Sequence, residues 1–167
     1  GMSKGSGTLK KAGQYGFIPM SFGGVDNSIV ASHWDAIEEG AQLSGKSPDR
    51  QEWRVSKDVF VAETDEEAFE QAINSCMGRV YNEMFIPLYV PDKKVSAEYL
   101  IQTNGLIGSV ETVAKKLDAL YEEIGGFGTL LVTGYDYTEQ PEVWKKSMKL
   151  LAEEVVPRLK HNRKQYF

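Results

Sequence analysis

Stretches of helical period alternate along this chain with short runs of β-branched and aromatic residues, and no other feature restricts its fold as strongly. Strands that follow one another through helices run parallel, because a parallel neighbour is reached only by a crossover of about a dozen residues or more. Three runs carry the strand signal: "GFIPMS" at 16–21, "WRVSKDVFVA" at 53–62 and "GTLLVTG" at 128–134. The last is uninterrupted and apolar, the pattern of a strand buried on both faces. The second follows the turn "SPDRQEW" and is read as one strand ending near Ala62. The fold class is therefore α/β, parallel strands alternating with helices.

The helical stretches have definable ends and inner faces. In "NSIVASHWDAIEEGAQLSG" the residues Val30, Trp34, Ile37 and Ala41 recur at helical spacing, with Asn27 or Ser28 as the cap and Gly45 as the stop. Thr64 or Asp65 caps "DEEAFEQAINSCMGRVYNEMF", read as one helix with Phe69, Ala72, Ile73, Cys76 and Val80 on its inner face. Residues 86–108 lose the rhythm and read as an excursion with short helical pieces. The pattern resumes in "SVETVAKKLDALYEEIGG", capped by Ser109, stopped by Gly125 and buried along Val113, Leu117, Leu120 and Ile124. Pro141 opens the last helix, whose stripe is Trp144, Met148, Leu151 and Val155, and Pro157 is expected to kink or fray it.

Length and composition narrow the function classes. A chain of 167 residues with 41% hydrophobic content builds a core without disulfides or metals, and it is read as a single unit over 1–167. Gly1 ahead of Met2 reads as a remnant of tag removal, and with no secretory or membrane-length apolar run the expected location is cytoplasmic. Cys76 is the single cysteine, expected in the core, so neither an intrachain disulfide nor a cysteine zinc cluster can form. A net charge of −5 with interspersed signs leaves no polybasic surface for nucleic acid, and the basic ending "RLKHNRKQYF" complements a helix C-terminus. No Ser-His-Asp order, His-Glu metal spacing or Walker loop is present, so no metal site and no catalytic residue is assigned.

The opening "GSGTLKKAGQYGFIPMS" has the form of a glycine-rich turn that starts a helix, a place where free N–H groups and the helix dipole attract an anion. Such a turn ordinarily follows a strand, yet here almost nothing precedes it. The ordered segments "SGTLKKAGQYGFIPMS", "HWDAIEEGAQLSGKSPDRQEWRVSKDVFVAETDEEA", "GLIGSVETVAKKLDAL" and "GGFGTLLVTGYDYTEQPEVWKKSMKLLAEEVVPRL" resemble the C-terminal half of the bacterial luciferase-like flavin-dependent monooxygenases. That resemblance implies half of an eight-stranded (β/α) barrel, N-terminally truncated, since a complete barrel takes roughly 250 residues. It also implies FMN as cofactor, reduced by a separate reductase, with oxygen and a small organic molecule as substrates.

By the same resemblance, Ser6 with the N–H groups of Gly7 and Thr8 would bind the FMN phosphate. Met20 and Ser21 fall at the end of the first strand and Tyr135 follows the last, so these three are candidate pocket residues; Asp136 and Tyr137 lie beside them. His33 reads as a surface or capping residue. Half a barrel exposes strand edges and its inner face, with "FIPM", "VFVA" and "TLLV" contributing, which implies a homodimer or a separate N-terminal half-barrel chain. The alternative is a non-catalytic α/β interaction or scaffold protein that no longer binds flavin.

Overall fold

A computed structural model describes residues 1–90 and 94–161. The basic C-terminal ending therefore lies partly outside the described residues. Two compact units emerge, Gly1–Lys57 with Ala119–Thr133, and Asp58–Asp118 with Gly134–Phe167.

The first unit is built on a parallel sheet of β1 (Met20–Phe22), β2 (Arg54–Lys57) and β5 (Thr129–Val132), in the order β1-β2-β5. Met20 pairs with Arg54 and Arg54 with Thr129, so the three strands are in register from their first residues. The first residue of the chain bonds to the free edge of β1. The Gly1 nitrogen donates to the Met20 carbonyl (3.2 Å), and the Phe22 N–H donates to the Gly1 carbonyl (3.1 Å). These two bonds tie Gly1 alongside β1, ahead of the glycine-rich turn. Helix α1 (Gly7–Tyr15) follows it, and α2 (Asn27–Gln42) follows β1.

Expected strand "GFIPMS" is shorter than its pattern: only Met20 onward pairs, and Phe17 and Ile18 stay exposed. The α2 stripe Val30, Trp34, Ile37 and Ala41 is buried as the spacing predicts, although Asp26 caps the helix in place of Asn27 or Ser28. The Asp26 carboxylate accepts the Ser28 N–H at 2.8 Å, the reach a cap needs to satisfy a first-turn donor. Arg50 closes the far side. It lies 4.5 Å from the Trp34 ring and donates to the Ile124 and Gly126 carbonyls at 2.7 and 3.2 Å. The run "TLLV" is not buried on both faces, since β5 pairs with β2 alone and its residues are exposed or half-buried.

The second unit pairs β3 (Val59–Ala62) with β4 (Leu106–Ser109), again parallel, Val59 opposite Leu106. All four β3 residues are buried. The segment 53–62 is thus two strands rather than one, separated at Asp58, and the excursion at 86–108 contains a strand that its lack of period concealed. The expected helix over 65–85 is also divided. Helix α3 (Asp65–Ile73) stops at Asn74, and Ser75 caps a new turn, α4 (Cys76–Val80), by accepting the Met77 N–H at 3.1 Å. A π-helical turn, Tyr81–Phe85, and α5 (Ile86–Tyr89) continue it, with α6 (Ala97–Asn104) beyond. The break rotates the inner face: Met77, Gly78 and Tyr81 are buried, while Cys76 and Val80 are half-exposed.

Thr64 caps α3 as expected, its hydroxyl accepting the Glu67 N–H at 3.1 Å. The stripe of α7 (Val110–Glu123) is buried at Val113, Leu117 and Leu120, with Ile124 just after it, and the Ser109 hydroxyl accepts the Thr112 N–H at 3.4 Å. Gly125 then ends the helix at φ +75°, a conformation that favours a residue without Cβ. In α8 (Pro141–Leu150) the most buried position is Ser147, whose hydroxyl accepts the Val61 N–H at 2.8 Å; Leu151 and Val155 are buried and Trp144 half-buried. Beyond Leu150 the chain passes to a π-turn and then a 3-10 turn containing Pro157, which lacks the N–H a regular α-helix would use.

Candidate functional site

Ligand sites in α/β barrels gather at the carboxyl edge of the strands, because loops there are framed by rigid secondary structure. In the first unit that edge carries the turn 4–8, the turn 23–27 and Lys57. Ser6 is buried and caps α1, its hydroxyl accepting the Leu9 N–H at 3.4 Å. Gly7 and Thr8 are exposed, and their N–H groups make no hydrogen bond among the described residues.

The first turn of α1 holds no acidic side chain, whereas α3 fills its own with Asp65, Glu66 and Glu67. The positive end of α3 is complemented internally and that of α1 is not. Nor would anything lie within 4 Å of a Cβ at Gly5 or Gly7, so the turn is open on its outer side. Free donors, an uncompensated dipole and open space together fit a phosphate group.

Behind this edge lies a buried polar chain. His33 is fully buried; Nδ1 is 3.0 Å from the Ser21 hydroxyl and Nε2 3.1 Å from the Ser3 carbonyl. Since a carbonyl only accepts, Nε2 carries the proton and Nδ1 is the acceptor, so Ser21 donates to it. The Ser21 oxygen in turn accepts the Trp53 indole N–H at 2.9 Å. Burial holds the imidazole below its usual range, partly offset by the bond to Ser3. His33 is thus neither a surface residue nor a cap. At the strand end, buried Lys57 donates to Asn27 Oδ1 at 2.9 Å, and Asn27 Nδ2 donates to Glu123 at 2.5 Å.

In the second unit Asp58 is buried and accepts two phenol hydroxyls, Tyr81 at 2.5 Å and Tyr135 at 2.8 Å. Burial and then the neighbouring carboxylate push both phenols well above their ordinary value, so they act as fixed donors. Tyr137, pushed up to about 12 chiefly by burial, stacks on Trp144 at 4.5 Å. A cleft of about 350 Å³ beside it is lined by Ser75, Cys76, Arg79, Asp136 and Tyr137 among others.

The candidate residues therefore separate. Ser6, Gly7 and Thr8 form one open turn. Met20 is 53% exposed on the sheet face opposite α2, while Ser21 points the other way and is occupied by His33 and Trp53. Tyr135 belongs to the second unit, tied to Asp58. Sequence reasoning passed over Lys57, Asp58, Asn27 and Tyr81. Its available signal was the adjacent Lys-Asp pair inside an otherwise apolar strand run, where burying charge demands specific partners.

No family model matches the chain. It is 34% identical over 95% of its length to 3,6-diketocamphane 1,6-monooxygenase of Pseudomonas putida, covering 46% of that protein. To 2,5-diketocamphane 1,2-monooxygenase 1 of the same organism it is 31% identical over 96%, covering 48%. The chain thus spans about half the length of the curated relatives it matches. Among solved structures it superposes, with TM-score 0.84 and 32% identity, on the oxygenating constituent of the Pseudomonas putida 3,6-diketocamphane monooxygenase, a type II Baeyer-Villiger monooxygenase in complex with FMN. That match covers 95% of this chain and 47% of the other.

Proposed function

We propose, from the premise that this chain belongs to the luciferase-like flavin-dependent monooxygenases and matches about half of a member's length, that it supplies the flavin-phosphate part of an FMN-dependent monooxygenase. The observation that carries this reading is the open N-terminus of α1, where the Gly7 and Thr8 N–H groups stand free beside Ser6 and no acidic residue competes. FMN brings the redox chemistry with oxygen when bound. The chain's own residues would hold the phosphate, with the Gly7 and Thr8 N–H groups as donors and the helix dipole favouring its charge.

The sheet face bearing Met20 and Phe22 of β1, Arg54 and Ser56 of β2 and Leu131 of β5 is exposed or half-buried. Met20 there is the candidate to meet an organic substrate, and Ser21 supports the strand behind it; Tyr135, in the second unit, is the candidate pocket residue there. We assign the covering of this face to a second polypeptide, a homodimer partner or an N-terminal half-barrel chain, with 1–167 acting as one functional part. The cytoplasm, where a reductase supplies reduced flavin, is the compartment this reading requires.

Titration of FMN, followed by flavin fluorescence, into the chain alone and mixed with an N-terminal half from a homologue tests the proposal. Binding that weakens about ten-fold or more in Ser6→Ala, with oxygen uptake in the mixture, is the expected outcome. No FMN binding in either sample would favour the scaffold reading.

A further inference from the structure

The segment that carries the phosphate turn is held to the rest of its unit by few bonds. Gly1 bridges to β1, the Gly5 N–H donates to the Ser32 hydroxyl of α2 at 3.3 Å, and the Ser3 carbonyl accepts from His33 Nε2. Two of these anchors change charge near neutral pH: the Gly1 ammonium, which burial holds below its usual range, and the His33 side chain, the only one that a substitution can alter.

We infer that His33 is a positioning residue for the opening turn: in its neutral Nε2-H form it pins the Ser3 carbonyl, and with it Ser6 to Thr8, against β1 and α2, and its protonation releases the segment. The inference rests on the phosphate-turn reading only for its consequence on FMN, not for the latch itself.

The reasoning is a donor count. Neutral His33 accepts the Ser21 proton at Nδ1 and donates from Nε2 to Ser3, while Ser21 accepts from Trp53. Every polar atom in the chain is satisfied once. A proton placed on Nδ1 leaves the Nε2 donor to Ser3 in place and turns the Nδ1 acceptor into a donor, so the strain arises at Ser21 and from the charge held out of water, which outweigh the bond to Ser3. Ser21 would then receive two donors, Trp53 and His33, and its own buried proton would lose its acceptor. An imidazolium at a fully buried position also loses the water that would solvate it.

Among the described residues, the one charge that acts on the ring is of the same sign. From α2 itself the neighbours in sequence are Ser32 and Trp34; β1 presents Ser21, and Trp53 stands just ahead of β2, neither of which titrates in this range. α1 contributes Lys10, engaged with Glu39 further along α2. The opening segment contributes the Gly1 ammonium, which disfavours a second positive charge. The ring is fully buried, while Ser3, Lys4 and Gly5 of the opening segment that it bonds are exposed.

The test is hydrogen–deuterium exchange of the whole chain without flavin between pH 8 and pH 5, normalised for intrinsic exchange, following the amides of Leu9, Lys10 and Phe22. Protection is expected to fall more than about ten-fold below the ordinary histidine value of about 6.5. His33→Gln, which can donate to Ser3 but cannot titrate, should keep protection independent of pH; His33→Asn, too short to reach Ser3, should lack it throughout. Nitrogen-15 shifts of the wild-type imidazole, needing no variant, should show the Nε2-H tautomer at neutral pH and a protonation midpoint that coincides with the loss of protection. Flat wild-type protection, a different tautomer, or a midpoint that does not coincide overturns the latch. FMN titrated over the same pH range reads the consequence separately: absence of binding at pH 8 would remove the phosphate reading and leave the exchange result standing.

Discussion

Replacing Gly40 by alanine should destabilise the protein, although in an isolated helix the same change is stabilising. Gly40 lies where α2 crosses α1, and a Cβ built there would sit 1.8 Å from the Lys10 carbonyl oxygen. The crossing is reciprocal, since a Cβ at Gly13 of α1 would sit 2.0 Å from the Ile37 carbonyl oxygen. Real Cβ contacts do not fall below 3.0 Å, so the helices must part by more than about 1 Å at this point. Alanine contributes roughly 0.5–1 kcal/mol of helix propensity. Against it, overpacking costs about 1–3 kcal/mol, and a gap of this size forfeits a quarter to a half of each neighbouring dispersion contact. The net expectation is a loss of about 1–3 kcal/mol, read as a lower urea midpoint at unchanged slope. Gly7→Ala is the control, because it stands on the same helix pair with nothing within 4 Å and should leave stability equal or raise it by a few tenths of a kcal/mol. A Gly40→Ala protein as stable as wild type would refute the close-crossing argument.

Other consequences are equally open to measurement. Tyr135→Phe and Tyr81→Phe each remove a donor from buried Asp58 and should cost about 1–3 kcal/mol. The double variant should deviate from additivity by at least about 0.5 kcal/mol, since one carboxylate serves both; additive losses in urea melts would contradict a shared anchor. Arg50→Lys keeps the charge but loses the planar stack on Trp34 and the paired bonds to Ile124 and Gly126, so thermal unfolding should drop by an amount equivalent to about 1–2 kcal/mol. Asp65 is held below its ordinary carboxylate range by hydrogen bonds from the Ser109 N–H and hydroxyl and the Thr112 hydroxyl. Because its folded pKa is lowered, its contribution is present above 3.8 and is lost as pH falls below that value. Asp65→Asn should therefore flatten acid unfolding in that window, as followed by tryptophan fluorescence.

Much of the scaffold was legible because period and capping are local properties. The buried stripes of α2 and α7, the Thr64 cap and the Gly125 stop follow from spacing and side-chain chemistry within a few residues. The same locality explains the failures. The strand at 106–109 has no period of its own and exists because its backbone pairs with β3. The helix over 65–85 reads as continuous until Ser75 closes on the Met77 N–H, which competes with the helical ladder.

The sequence by itself determined the parallel α/β class, the family resemblance and the glycine-rich turn that opens α1, since all three reside in short contiguous patterns. Only the tertiary structure decided what faces what. Ser21, one residue past the exposed Met20, turns inward to His33 and Trp53 because successive strand residues point to opposite faces and the register with β2 selects which face is covered. Lys57 and Asp58, adjacent in the chain, are each buried with partners from distant segments: Asn27 for the lysine, Tyr81 and Tyr135 for the aspartate. Buried polar groups are satisfied by whatever the fold brings within hydrogen-bond distance, and that neighbourhood is a property of three dimensions.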